Sequence, residues 1–210
     1  PWGQLTTEED PASVGVSLRT VDSLLAGARL DRVDLVKIDV EGADLEVLRG
    51  MERTLAAEPP PFLVVECCPH TLRMFGATPT DLVRFLEQRG YRAYTVEPNR
   101  LIRRRAEEVQ VTTVTDVLAV RRDLPELPGW RVDPPLSIGE NLRRFVAESQ
   151  HDNADCRACC ARAGRELDPA LRGQPEVQWA LARLKDDPDP RVHDAIAWWE
   201  GPRVAAGQTA

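Results

Sequence analysis

Apolar side chains dominate a short run of the chain before residue 40, and the pattern changes abruptly where that run ends. The stretch Val33–Gly50 begins with a nearly continuous β-branched and apolar segment, typical of a central parallel strand covered on both faces. Asp39 and Glu41 stand at its carboxyl end, and Gly42 follows them. Ligands of open α/β sheets bind outside the carboxyl ends of the strands, so we expect these acids to face a substrate or cofactor.

The same residues have a simpler interpretation. Gly42 permits a turn, and Asp44 and Glu46 fall in the first turns of the next helix, where negative charge suits the helix dipole. The acids from Asp39 to Glu46 are then capping and solubilising groups. Lys37 adds a constraint because charge is costly to bury inside an apolar strand, so it must pair with an acid or reach the end of the sheet.

Other parts of the chain predict an alternating α/β order. Thr20 is a plausible helix cap, and Thr78-Pro79-Thr80-Asp81 gives a cap, a first-turn proline and an acid in succession. The last two strand candidates are predicted to form an antiparallel pair at the sheet edge, with a basic loop between them. The further strand candidates are Val14–Leu18, Phe62–Glu66, Tyr91–Glu97 and Asp116–Val120, and the loop arginines are Arg100, Arg103, Arg104 and Arg105.

A change in composition predicts a boundary near residue 124. Residues 124–136 contain four prolines and one glycine, which favours an extended linker over helix or strand. Beyond it the pattern is helical, with Ser137 and Pro175 as helix starts and a last helix at residues 191–200. We therefore predict an α/β domain at 1–123, a linker at 124–136 and a small all-α appendage at 137–210.

The run KIDVEGADLEVLRG, preceded by residues 17–25 and followed by Pro61–Glu66, resembles the carboxyl-terminal half of FkbM-type methyltransferases. The resemblance covers about residues 14–120. It implies a Rossmann-like class I methyltransferase fold, a doubly wound sheet, and S-adenosyl-L-methionine as the cofactor. Because the resemblance begins almost at Pro1 and no GxG occurs in the chain, we expect the fold to lack its first strands and their glycine-rich turn.

The resemblance also suggests roles for individual residues. Asp39 is the first choice for a contact with the cofactor or the acceptor, and Gly42 adjoins it. Glu41 is suited to take a proton from a substrate hydroxyl, and Glu66 ends the next strand at the same edge. His70 has an intrinsic pKa near neutrality and is a candidate general base; the alternative is a surface histidine in a loop.

The resemblance to FkbM-type methyltransferases implies O-methylation of a small-molecule or glycan hydroxyl. The alternative is a non-catalytic remnant whose helices bind a protein partner through Trp179, Trp198 or Trp199. A formal charge of −7 argues against a nucleic-acid partner, and the absence of ~18 consecutive apolar residues argues against a membrane-spanning segment. We expect a cytoplasmic protein that forms homo-oligomers through its exposed sheet edge.

Two clusters leave alternatives open. Cys156, Cys159 and Cys160, with His151 upstream, resemble half of a zinc site, but one helical turn separates two of them and free cysteine often packs as a small apolar residue. A closed site needs four ligands, so no metal is predicted. The basic loop either attracts an anionic acceptor or is simply solvated.

Overall fold

The computed structural model describes residues 14–106, 114–167 and 169–200, in which strands and helices alternate only in the first part and are followed by four consecutive strands and then five helices. The strands are β1 Leu35–Ile38, β2 Phe62–Cys67, β3 Arg92–Glu97, β4 Arg100–Arg104, β5 Thr115–Val120 and β6 Arg131–Asp133. The helices are α1 Val21–Ala28, α2 Asp44–Arg49, α3 Glu52–Ala56, α4 Pro69–Met74, α5 Pro79–Gln88, α6 Ile138–Glu148, α7 Ala154–Glu166, α8 Pro169–Arg172, α9 Pro175–Lys185 and α10 Pro190–Glu200.

The described strands form a mixed sheet in the order β1-β2-β5-β3-β4-β6. β1 is parallel to β2, β4 is parallel to β6, and the remaining pairs are antiparallel. This arrangement confirms the mixed α/β class and is compatible with the Rossmann-like fold predicted. Because β5 runs antiparallel to β2, the start of β5 lies at the same edge of the sheet as the end of β2.

The first strand has the exposed edge that we expected, although its apolar run by itself is typical of a central strand. β1 is an edge strand among the described residues, and Leu35 is 60% exposed. Ile38 is buried on the other side of the pleat and joins the main core. A run of apolar residues shows that a strand is favourable, but it does not show how many neighbours the strand has. Residues 14–18, predicted as a strand, are irregular and exposed.

The predicted antiparallel pair is confirmed as β3 and β5, but its position and the basic loop were wrong. The pair lies inside the sheet because β4 continues it on the far side. Arg100, Arg103 and Arg104 are therefore strand residues, and Arg105 follows the strand. Leu101 and Ile102 are buried, and burial of these two apolar side chains favours a strand for this arginine-rich segment.

The proline-rich segment 124–136 is also more structured than an extended linker. It contains β6, which pairs with β4. Leu124 and Leu127 pack against a small cluster around Tyr94 and Leu101. Proline is tolerated there because β6 is short and lies at the sheet edge. The division of the chain into three segments stays a prediction.

Helix starts follow the local signals closely. The Thr20 hydroxyl accepts a hydrogen bond from the amide of Ser23, which caps α1. Thr78 and Asp81 form a reciprocal capping box at the start of α5, as Ser137 does with its third-position glutamate at the start of α6. No helix in the described ranges is long and apolar enough to span a membrane.

Helices α6, α7, α9 and α10 share a core of their own, built around Phe145, Val177 and Leu184. They also contact the sheet region at two places. α7 packs against α4. Arg144 of α6 forms an ion pair with Glu97 at the end of β3, with a distance of 2.5 Å between Nη2 and Oε1.

Candidate active site

The turn between β1 and α2 has an unusual backbone. Glu41 has a φ of +52°, which is uncommon for a residue with a side chain, and Gly42 has a φ of +104°. A Cβ on Gly42 would overlap the carbonyl oxygen of Thr71 in α4 and lie 2.9 Å from the Thr71 Cβ. Glycine is therefore needed at this position by the backbone and by the close approach of α4.

Asp44 holds this turn from inside. Only 1% of Asp44 is exposed, and its carboxylate accepts hydrogen bonds from the amides of Val40 at 3.4 Å and Gly42 at 3.1 Å. Burial raises the pKa of Asp44 even though these amides favour its charged form. The interpretation of Asp44 as a solubilising group on the helix was wrong: the turn folds back over it, and a pattern of charges cannot show that.

Lys37 joins two carboxylates at the same edge. Its Nζ lies 2.8 Å from an oxygen of Asp116 and 3.3 Å from an oxygen of Asp39. Partial burial opposes the charge of Lys37, but the hydrogen bonds that Lys37 donates to Asp116 and Asp39 outweigh this effect and raise the pKa of Lys37. The prediction that Lys37 pairs with an acid is confirmed. About half of the Asp39 side chain remains exposed, so it is accessible from solvent.

Glu66 brings the second strand end into the same group. It is partly buried in β2 and lies opposite Asp116 of β5. Burial raises the pKa of Glu66, and the charges of Asp39 and Glu41 raise it further. The acids predicted from the two strand ends are therefore close enough to influence one another, and Lys37 partly offsets their repulsion.

His70 stands in a different environment. It lies on α4 rather than in a loop, and it is partly buried. Burial and, to a lesser extent, the charge of Arg162 on α7 together lower the pKa of His70 to about 4. His70 is therefore uncharged at neutral pH. His70 lies on α4, and α4 packs against α7, which carries Arg162.

Sequence reasoning missed Asp116 and Thr71 as parts of this site. Asp116 is 79 residues from Lys37 in the chain, and only the antiparallel placement of β5 brings it to the edge. Thr71 acts through its backbone, for which a sequence carries no signal. The positive φ of Glu41 was equally hidden, because glutamate is not a residue typical of left-handed backbone.

The cysteine cluster lies on α7. Among the described residues, no group of three or more His, Cys, Asp or Glu is arranged to hold a metal ion. The buried Cys160 thiol contacts the carbonyl oxygen of Phe145 at 3.5 Å, and Nδ1 of His151 accepts a hydrogen bond from the amide of Asn153. These contacts favour the packing interpretation of Cys160.

The aromatic residues considered as partner anchors are described only in part. Trp179 of α9 is 50% exposed. The side chains of Trp198 and Trp199 lie outside the part of the structure that is described. A partner that binds through these residues stays a prediction.

Comparison with known proteins gives one family. The model of the methyltransferase FkbM domain matches residues 3–93. The searches of curated proteins and of solved structures found no match. The matched range contains the turn from Asp39 to Asp44, Glu66 and α4, and it ends within β3.

Proposed function

We propose, because residues 3–93 match the model of the methyltransferase FkbM domain, that this chain is an S-adenosyl-L-methionine-dependent methyltransferase acting on a hydroxyl group of a small molecule or glycan. The family supports methyl transfer. The cofactor and the acceptor class are our proposals, and they rest on the residues gathered at the carboxyl ends of β1 and β2.

The observation that carries the proposal is the charge at this edge. Four carboxylates act on one another there, those of Asp39, Glu41, Asp44 and Glu66, and one lysine partly compensates them. The cofactor has a positive sulfonium and a positive ammonium group, so an excess of negative charge suits it. Of these four carboxylates, Asp39 is about half exposed and is positioned by its ion pair with Lys37. We therefore assign to Asp39 the contact with the cofactor or the acceptor.

When bound, the cofactor supplies a methyl group on a sulfonium, ready for in-line displacement. Glu66 is suited to receive the proton of an acceptor hydroxyl because its raised pKa makes it a stronger base than an ordinary glutamate. Glu41 is the second candidate, since its backbone conformation fixes where its side chain leaves the turn. A well-placed base contributes roughly 10² to 10⁴ in rate.

His70 is less suited to this role. Its pKa of about 4 makes it a weaker base than a solvated histidine. Gly42 is assigned to the cofactor only through its place in the turn, because its own packing against Thr71 already explains the glycine.

The proposal is tested by calorimetric titration of the protein with S-adenosyl-L-methionine and by methyl transfer to a panel of polyol and glycan acceptors. Asp39→Asn keeps the shape but removes the charge, so activity should fall at least ~10-fold, equivalent to ~1.4 kcal/mol of transition-state stabilisation. Glu46→Gln is the matched control, because Glu46 is an exposed acid on α2 paired with Arg49. Equal, negligible effects of both substitutions would remove Asp39 from the site, and absence of cofactor binding would contradict the function.

A further inference from the structure

We infer that α7 is a positioning element for the candidate active site, and that it acts through α4 on the turn at Gly42. The helical region would then be part of the working unit rather than a separate appendage. The effect on the turn follows from packing alone, whereas its consequence for methyl transfer rests on the proposed function.

The first step is the contact between α4 and the turn. The Thr71 backbone occupies the space beside Gly42, so a displacement of α4 changes the room available to the turn. The Thr71 hydroxyl in turn donates to the carbonyl oxygen of Cys68, which fixes the first turn of α4. Glu41 precedes Gly42 directly and has a left-handed backbone, which persists only when the surrounding structure holds it.

The second step is the contact between α4 and α7. Cys159 and Arg162 are three residues apart and so lie on one face of α7. Burial raises the pKa of the Cys159 thiol, and the neighbouring Cys68 raises it further. Arg162 lowers the pKa of His70 in α4. The geometric observation is that α7 packs directly against α4, and the electrostatic influence within each of these two pairs agrees with Cys159 and Arg162 facing that contact.

The third step is that α7 is itself held firmly. Cys160 and Ala161 are fully buried in the core of the helical region. Arg157 pairs with the buried Asp187 at 2.7 Å, which ties α7 to the turn after α9. Since α7 is fixed on one face and packed against α4 on the other, it can restrain α4.

The test is hydrogen exchange followed by mass spectrometry on the full chain. Cys159→Trp places a large ring between α7 and α4, and Ala182→Trp places the same ring at an exposed position of α9. We expect exchange of a peptide spanning residues 39–46 to accelerate by about tenfold in Cys159→Trp only, because local opening sets exchange rates. Strand β2 is the internal reference, since global unfolding would accelerate its exchange equally.

A second variant guards against misfolding. Arg162→Ala removes volume and charge from the same interface and should accelerate exchange at residues 39–46 in the same direction while β2 stays protected. Unchanged protection of the turn in both variants would overturn the inference. If the turn loosens but the affinity for S-adenosyl-L-methionine does not change, the positioning stands and the proposed role of the turn in cofactor binding fails.

Discussion

Gly42→Ala tests the packing of the turn most directly. The added methyl group would enter the space of the Thr71 carbonyl group, and the alanine would keep a φ of +104°. Backbone atoms cannot rotate away as the end of a flexible side chain can. Either α4 must shift or the turn must change its conformation, and both changes reach Glu41.

The cost has three contributions. A left-handed backbone costs an alanine roughly 1–2 kcal/mol. Overpacking costs about 1–3 kcal/mol, and the reduced entropy of the unfolded chain returns about 0.4–1 kcal/mol. We therefore expect the free energy of unfolding to fall by about 1–5 kcal/mol, a large part of the roughly 5–15 kcal/mol that typical domains have.

The assay is urea denaturation followed by circular dichroism. Gly76→Ala is the matched control, because Gly76 also has a positive φ of +71° but has no atom within 4 Å of an added Cβ. It reports the backbone contribution without the contact with α4. If Gly42→Ala lowers the free energy of unfolding no more than Gly76→Ala does, α4 does not pack against the turn and the reasoning is refuted.

Two further predictions concern the buried acid and the sheet edge. Because burial raises the pKa of Asp44, the folded protein binds that proton more tightly, so stability should fall as the pH rises from about 4 through the raised pKa. Asp44→Asn should reduce this fall and leave the part that comes from the raised pKa of Glu66; identical pH profiles of unfolding free energy in the variant and the wild type would contradict it. We also propose that the edge of β1 pairs with a second copy of the chain. Leu35→Lys should shift sedimentation towards the monomer and Met74→Lys, an exposed control, should not; a wild-type monomer at all concentrations would exclude the pairing.

Local chemistry made part of the fold predictable. The helix starts at Thr20, Thr78 and Ser137 depend on side chains that bond to amides within three residues, so the sequence contains the whole signal. The second strand was predictable for a similar reason, because its apolar residues are consecutive. The acids at the ends of β1 and β2 followed from the rule on parallel strands.

The remaining features depend on partners far away in the chain. The sequence of β4 is typical of a charged loop because it does not show that Arg100 pairs with Asp133. The acids that neutralise such arginines lie on other elements. The charge pattern around Asp44 is typical of a surface acid, whereas the fold of the turn buries this side chain. The exposed edge of β1 was expected only from the family resemblance, because the apolar run of this segment alone favours a central position.

At position 41, the residue type that would best stabilise the folded protein is not the one that supplies a carboxylate to the candidate active site. Glycine or asparagine would adopt a φ of +52° at lower cost, so a search for more stable variants would favour replacing this glutamate. Each such replacement would remove a carboxylate from the strand edge. A screen that selects on thermal stability alone would therefore discard the residue that a screen on turnover would retain, and the opposed outcomes of the two screens would identify Glu41 as a functional residue.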